Sequence, residues 1–331
     1  MKFNLKYLVL IILLSSICKA QKKKIMKSES PIHCNPDSGL CEVPAYRQTI
    51  TSNARSFLKK EEKPVRILYF TDPICSSCWG IEPQLRRLKA EYGESIEIEY
   101  RMGGLLPDWS YNAGGISKPS DVAAHWEEAS KYYQMPIDGR IWLEDPLPSS
   151  YPPSIAFKAA QLQDLEKAIN FLRRLREMVF MEKKNIARPE IIRQAAMETG
   201  LNTEKLLQDM EGTALQAFQT DLEVTRSMGI RGFPTLVFST KSGMQQIISG
   251  SRPYANFVQA MKTLVPDISA QTFDASPEGL FARYSSLTSL EFATLAGISL
   301  EQAEQLLSGL GGNGKLKKIS IANGNLWTRI P

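Results

Sequence analysis

The stretch Asp72-Pro73-Ile74-Cys75-Ser76-Ser77-Cys78-Trp79-Gly80 constrains this chain more than any other. Two cysteines three positions apart follow directly on Val65-Arg66-Ile67-Leu68-Tyr69-Phe70, a run whose length and composition read as a buried strand. Behind them, residues 81–89 are apolar at helical spacing, and Pro83 suits a first turn. A cysteine at the start of a helix meets free backbone N–H groups and the positive end of the helix dipole, and both stabilise a thiolate. The second cysteine falls nearly one turn later on the same face, within reach to close a disulfide. A C-x-x-C pair also serves zinc, but the flanking strand and helix make redox chemistry the better reading.

At 331 residues the chain is long enough for about two domains, and 43% hydrophobic with 23% charged residues is ordinary for a soluble protein with a real core. Its start is not ordinary. Lys2 and Lys6 precede the apolar run of residues 7–14, and Ser15-Ser16-Ile17-Cys18-Lys19-Ala20 follows. This pattern predicts a signal peptide over residues 1–20, cut after Ala20, and export to the periplasm or cell envelope. The run is short for a span of about 20 apolar residues, so membrane contact is expected only through an uncleaved leader. A lipoprotein at Cys18 is disfavoured by the bulky Ile17. Removing residues 1–20 takes away Lys2, Lys6 and Lys19 and no acid, so the formal charge falls from +5 to +2 and Cys18 goes with them. No argument for nucleic acid survives in that charge. The four cysteines left permit two pairs in an exported chain.

Residues 21–60 read as a tether. Within it, Cys34-Asn35-Pro36-Asp37-Ser38-Gly39-Leu40-Cys41 closes on itself through turn-forming residues. Three readings stand: a structural disulfide, a second redox pair exchanging with Cys75–Cys78, or a four-cysteine zinc site. Residues 51–60 suit a short helix, and residues 95–100 alternate as a second strand. Glycines and prolines then mark a loop-rich crossing. Its aromatic residues Trp109, Tyr111, Trp126, Tyr132, Tyr133 and Trp142 either line a groove or form core. Helical periodicity runs over 154–163, 164–183, 189–199 and 213–228, with Gly200 a stop and Thr203 a start. Residues 229–238 return to strand, with 245–249 as hairpin partner across Lys241-Ser242-Gly243, and 254–264 form a closing amphipathic helix. Pro234 read by itself is a strand opener.

Asp-Pro-x-Cys-x-x-Cys-Trp after a first strand, a long helical insertion and Gly-x-Pro-Thr opening a late strand together resemble the DsbA-type thioredoxin fold, nearest its FrnE-like and Spx-adaptor-like branch. The resemblance covers residues 64–265. It implies an α/β thioredoxin fold with an inserted helical domain at about 103–228, within a domain spanning 61–265. It also implies that Cys75 is the nucleophile, Cys78 the resolving thiol and Pro234 a cis-proline opposite them. Phe233 and Trp79 would then contact substrate, Phe233 through its backbone. Strong oxidants of the wider family carry a His between the cysteines. This chain has Ser76-Ser77, which argues against an extreme oxidant. His33 and His125 are distant in sequence and receive no role.

Residues 270–331 read as a separate winged-helix-like module: helices over 277–284, 289–295 and 300–310, then strands flanking Asn323-Gly324. Glu301 and Glu304 on the third helix, which has no basic residue, turn this module from DNA towards protein contact or packing. The whole reads as an exported thiol–disulfide oxidoreductase acting on protein thiols and disulfides through a mixed disulfide. It needs a redox partner that recharges the pair, and no cofactor or metal. The alternative is a thioredoxin-fold protein-binding adaptor or chaperone with little redox turnover.

Overall fold

The computed structural model describes residues 33–35, 40–42, 63–110 and 116–330. The leader expected over residues 1–20, most of the tether expected over 21–60, the helix expected over 51–60 and Tyr111 lie outside the described residues. The chain begins its described course with a hairpin of β1 (His33–Asn35) and β2 (Leu40–Glu42), then enters β3 (Val65–Thr71), the strand read from the apolar run. Two helices follow, α1 (Ser76–Gly80) and α2 (Glu82–Tyr92), and lead to β4 (Ile96–Met102). β4 runs parallel to β3, with Val65 opposite Ile96 and Thr71 opposite Met102. Parallel neighbours need such a crossover, and this one lays α2 against one face of the sheet.

The insertion holds α3 (Pro119–Tyr133), α4 (Ile141–Glu144), α5 (Tyr151–Gln163), α6 (Leu165–Met181), α7 (Pro189–Glu198), α8 (Thr203–Met210) and α9 (Thr213–Ser227). The chain then returns to the sheet through β5 (Thr235–Ser239), β6 (Gln245–Ser249) and α10 (Tyr254–Leu264). The six-stranded order is β1-β2-β6-β5-β3-β4. This is the thioredoxin fold with its helical insertion, as the sequence implied. Among the described residues no helix is long and apolar enough to cross a membrane.

Two positions lack a side chain for a steric reason. A Cβ on Gly80 would meet the Tyr133 ring at 2.3 Å, and one on Gly103 would meet the Phe233 ring at 1.9 Å. Both contacts bring other elements against the cysteine end of the sheet. The sheet face covered by α2 and α10 packs Ile67, Tyr69, Leu88, Phe238 and Phe257, and the insertion has its own core around Trp126, Phe157, Phe171 and Phe180.

The tail holds α11 (Pro277–Arg283), β7 (Ser286–Thr288), α12 (Ser289–Ala296), α13 (Leu300–Gly312), β8 (Leu316–Ile321) and β9 (Gly324–Arg329). Its sheet order is β7-β9-β8, and β7 is a strand that no sequence signal announced. Leu287, Phe292, Leu307 and Trp327 form its core, which takes in Ala90 of α2. Glu291 closes a capping box with Thr288 at the start of α12, and Gly297 ends that helix at φ 67°.

Candidate functional site

Cys75 is the N-cap of α1, and the backbone N–H of Cys78 donates to its sulfur at 3.1 Å. Both thiols are free, and both are buried: Cys75 is 4% exposed and Cys78 0%. The turn before them is organised by Asp72. Its carboxylate accepts from Ile74 N at 3.0 Å, Leu105 N at 2.8 Å and Ser150 Oγ at 2.8 Å, and its carbonyl accepts from Cys75 N at 3.2 Å. These bonds draw the loop after β4 and the start of α5 onto the turn. The Phe233–Pro234 peptide is cis and enters β5, where Thr235 pairs with Phe70. It therefore sits at the same end of the sheet as the cysteine turn.

From α6, the Arg176 guanidinium reaches under this end. It pairs with Glu82 through Nη1 and donates through Nη2 to Thr71 Oγ1 at 2.6 Å. Burial pushes the Cys75 thiol well up, and donating its S–H to the Cys78 sulfur adds to that rise, against the Cys78 backbone N–H that lowers it. Cys78 suffers the same burial, yet it is held below the usual thiol value by the bond from Cys75 and by the charge of Arg176. The pair therefore favours a single ionisation. Burial likewise pushes the Asp72 carboxyl up to about 6, against three hydrogen bonds that pull the other way.

An exposed Cys75 ionising more readily than a free thiol is the ordinary expectation at a helix N-terminus, and the geometry departs from it. The Asp72 hydrogen bonds close the surrounding loops over the turn, and the resulting desolvation outweighs the helix end. The expectation that Trp79 contacts substrate is corrected outright. Its ring is fully buried and stacks on Phe180 at 5.5 Å, Nε1 donates to Pro136 O at 3.0 Å, and the Arg173 guanidinium lies 4.4 Å above it. It is a core residue. Trp126 and Trp142 are core too, edge to face at 5.2 Å, whereas Tyr132 is 76% exposed. Phe233 is half-buried against Gly103. Cys34 and Cys41 are paired Cα positions of β1 and β2; their side chains lie outside what the structure describes.

Sequence reasoning missed His125. From α3 it brings Nε2 to 3.5 Å from Ser76 Oγ, so an imidazole stands beside the dipeptide that lacks one. No spacing rule links residues that far apart. It also missed the ion network beneath the site. Glu291 of α12, fully buried, accepts from Arg173 at 2.6 and 3.0 Å and pairs with Arg86 Nε at 3.0 Å. Arg86 also donates to Ser286 O at 2.7 Å. A signal was present: Arg176 falls on the apolar stripe of α6, between Leu172 and Val179, where a charge needs a partner.

These features define a thiol-bearing thioredoxin-fold protein. A thioredoxin family profile matches residues 68–259. The ClpXP adapter protein SpxH of Halalkalibacterium halodurans is 32% identical over 90% of this chain and 97% of its own length. The ClpXP adapter protein SpxH of Bacillus subtilis is 28% identical over 81% and 90%. Among solved structures, the cytosolic disulfide reductase DsbM from Pseudomonas aeruginosa superimposes with a TM-score of 0.50 at 20% identity, covering 60% of this chain and all of that one. The chain belongs to the DsbA-type thioredoxin family, in the branch that holds the SpxH adapters.

Proposed function

We propose that this protein is a protein-binding adaptor built on a thioredoxin platform, and that its Cys75–Cys78 pair exchanges disulfides with the client it holds. The observation that carries the adaptor reading is the extent of the similarity. It runs over 97% of an adapter's length, so it is not confined to a shared thioredoxin core. The tail fits this reading as a winged-helix-like protein-contact element. The burial of both thiols favours slow exchange with a held client over rapid turnover.

The exchange itself needs no cofactor. Cys75 passes its proton to the Cys78 thiolate beside it and, as the thiolate, attacks a client disulfide, forming a mixed disulfide and expelling one client thiolate. Cys78 then attacks the Cys75 sulfur, closing the pair and expelling the second. The pair gives up two protons and two electrons, the client is reduced, and a separate thiol donor recharges the pair. The backbone at Phe233 pairs with the extended client segment. Cys34 and Cys41 form a structural disulfide: paired Cα positions in an antiparallel ladder lie about 4.5–5.5 Å apart, inside the range a disulfide spans. Mass spectrometry of non-reduced protein should find these two joined to each other; stoichiometric zinc lost on mutating either would overturn this.

Residues 1–20 decide the acceptor. The relatives are named for ClpXP. A chain cut after Ala20 on export meets a different one. N-terminal sequencing separates the cases: Gln21 as first residue supports export, and a retained Met1 supports ClpXP. The adaptor reading is tested by trapping a client with Cys78→Ser, which keeps the attacking thiol and lacks its resolver. Binding of that purified client to Cys75→Ser should stay within about threefold of wild type, under ~1 kcal/mol. Loss of binding together with many turnovers per pair on a small disulfide would make the protein an enzyme and sink the adaptor reading.

A further inference from the structure

The exchange steps leave Arg176 without a role, although it is the most deeply buried cation near the sulfurs, at 1% exposure. A guanidinium loses its hydration when buried and persists there only where neighbours compensate it. Its compensation is incomplete. Nη1 meets the Glu82 carboxylate, and Nη2 meets Thr71 Oγ1 and, at 3.4 Å, the Asp72 carbonyl, while Nε has no protein partner. Glu82 is shared, since Arg86 also stands 4.0 Å from it. The Asp72 carbonyl that receives Nη2 also receives the Cys75 N–H. The guanidinium is thus one carbonyl away from the residue that bears the nucleophile.

We infer that Arg176 is the counter-ion of the Cys75–Cys78 pair. It keeps positive charge beneath the sulfurs so that one of them ionises inside a buried site, and it steadies the turn that presents Cys75. This rests on the reading of the pair as an exchange centre. The titratable groups facing the pair are Tyr69 from β3, Asp72 from the turn, Glu82 from α2, His125 and Tyr133 from α3, and Arg176 from α6. Among them Arg176 alone is positively charged at every pH in question. Its charge lowers both thiols, against burial that raises them. Stabilising a thiolate also stabilises the reduced pair, so the same residue biases the pair towards accepting electrons.

The test is alkylation of the reduced full-length chain by iodoacetamide as a function of pH, together with the pair's equilibrium against glutathione. Arg176→Met should raise the pair's first ionisation by about one unit and slow alkylation at pH 7 about tenfold. The same variant should shift the glutathione equilibrium towards the disulfide. Arg176→Lys should recover most of the loss. Glu82→Gln removes the acid that neutralises Arg176 and should move the profile the opposite way, with faster alkylation. That opposite sign keeps the test open even if Arg176→Met fails to fold. Folded Arg176→Met with an unmoved profile overturns the counter-ion role while leaving the exchange centre standing, and so does an unmoved Glu82→Gln. A reduced wild type that shows no ionisation of the pair below pH 9, by thiolate absorbance as well as by alkylation, overturns both.

Discussion

Asp72 and Glu291 are both carboxylates with no solvent exposure, and their environments pull them apart. Asp72, under the cysteine turn, is held by two backbone N–H groups and a serine hydroxyl, and burial pushes it up to about 6. Glu291, where the tail meets α2 and α6, suffers the same burial. Arg173 and Arg86 overcome it and hold the carboxyl below the usual glutamate range. Neutral donors satisfy the lone pairs of a buried acid without compensating its charge; cations do both. The turn that carries the pair is therefore sensitive to mild acid, and the clamp that holds the tail is not.

The largest expected effect comes from breaking the clamp. Glu291→Ala leaves the buried Arg173 and the half-buried Arg86 without the carboxylate between them and opens the capping box, and should cost about 3–5 kcal/mol. Urea unfolding and hydrogen exchange over residues 270–330 would register it. A loss below ~1 kcal/mol would mean that the network contributes little beyond the apolar contacts around it.

Next comes the pH response of Asp72. Its folded pKa lies above the ordinary aspartate value, so the folded state binds the proton more tightly than the unfolded chain. The contribution of this group to stability is greatest at low pH and falls as pH rises from about 4 through about 6, by roughly 3 kcal/mol in all. Asp72→Asn removes that slope. Subtracting the variant's urea midpoints from those of wild type at pH 4.5 and 7 isolates it from acids such as Glu291, whose lowered pKa works in the opposite sense. A difference that does not change with pH would place the charge of Asp72 in a more polar setting than the one described.

Smaller still is Trp79→Phe. It loses the bond to Pro136 and part of the stacking under Arg173, and should cost about 1–2 kcal/mol while leaving client affinity unchanged. A weakened client with unchanged stability would return Trp79 to the binding surface. The smallest effect sharpens the comparison from outside. Arg193 and Glu204 form an ion pair on the exposed side of the insertion, and Arg193→Ala should stay within ~0.5 kcal/mol of wild type in the same unfolding assay.

What the sequence made legible was local. β3, the cysteine pair and α2 lie within thirty residues, and their periods and spacing state the βαβ unit directly. The hairpin of β5 and β6 was readable for the same reason, and so were the long helices. The site's environment was not, because its parts arrive from far away. Ser150 reaches Asp72 across 78 positions, Arg176 reaches Thr71 across 105, and Glu291 reaches Arg173 across 118. Trp79 shows the cost of reading locally. Beside Cys78 it looks like part of a binding surface, but helical geometry turns it inward onto Phe180.

The hairpin at the start of the described chain has a further consequence. β2 lies along β6, with Leu40 opposite Ile248 and Cys41 opposite Ile247, and so covers the stretch of that strand where Ile247 and Ile248 are buried. The opposite margin of the sheet, β4, carries Glu97, Glu99 and Arg101, charges that discourage a second chain from adding a strand there. Trimming the protein to the thioredoxin boundaries would strip the hairpin and leave β6 as an open edge with its backbone unpaired at Ile247 and Ile248. A shortened chain of that kind is a template for intermolecular pairing, and its tendency to self-associate would be a product of the trimming.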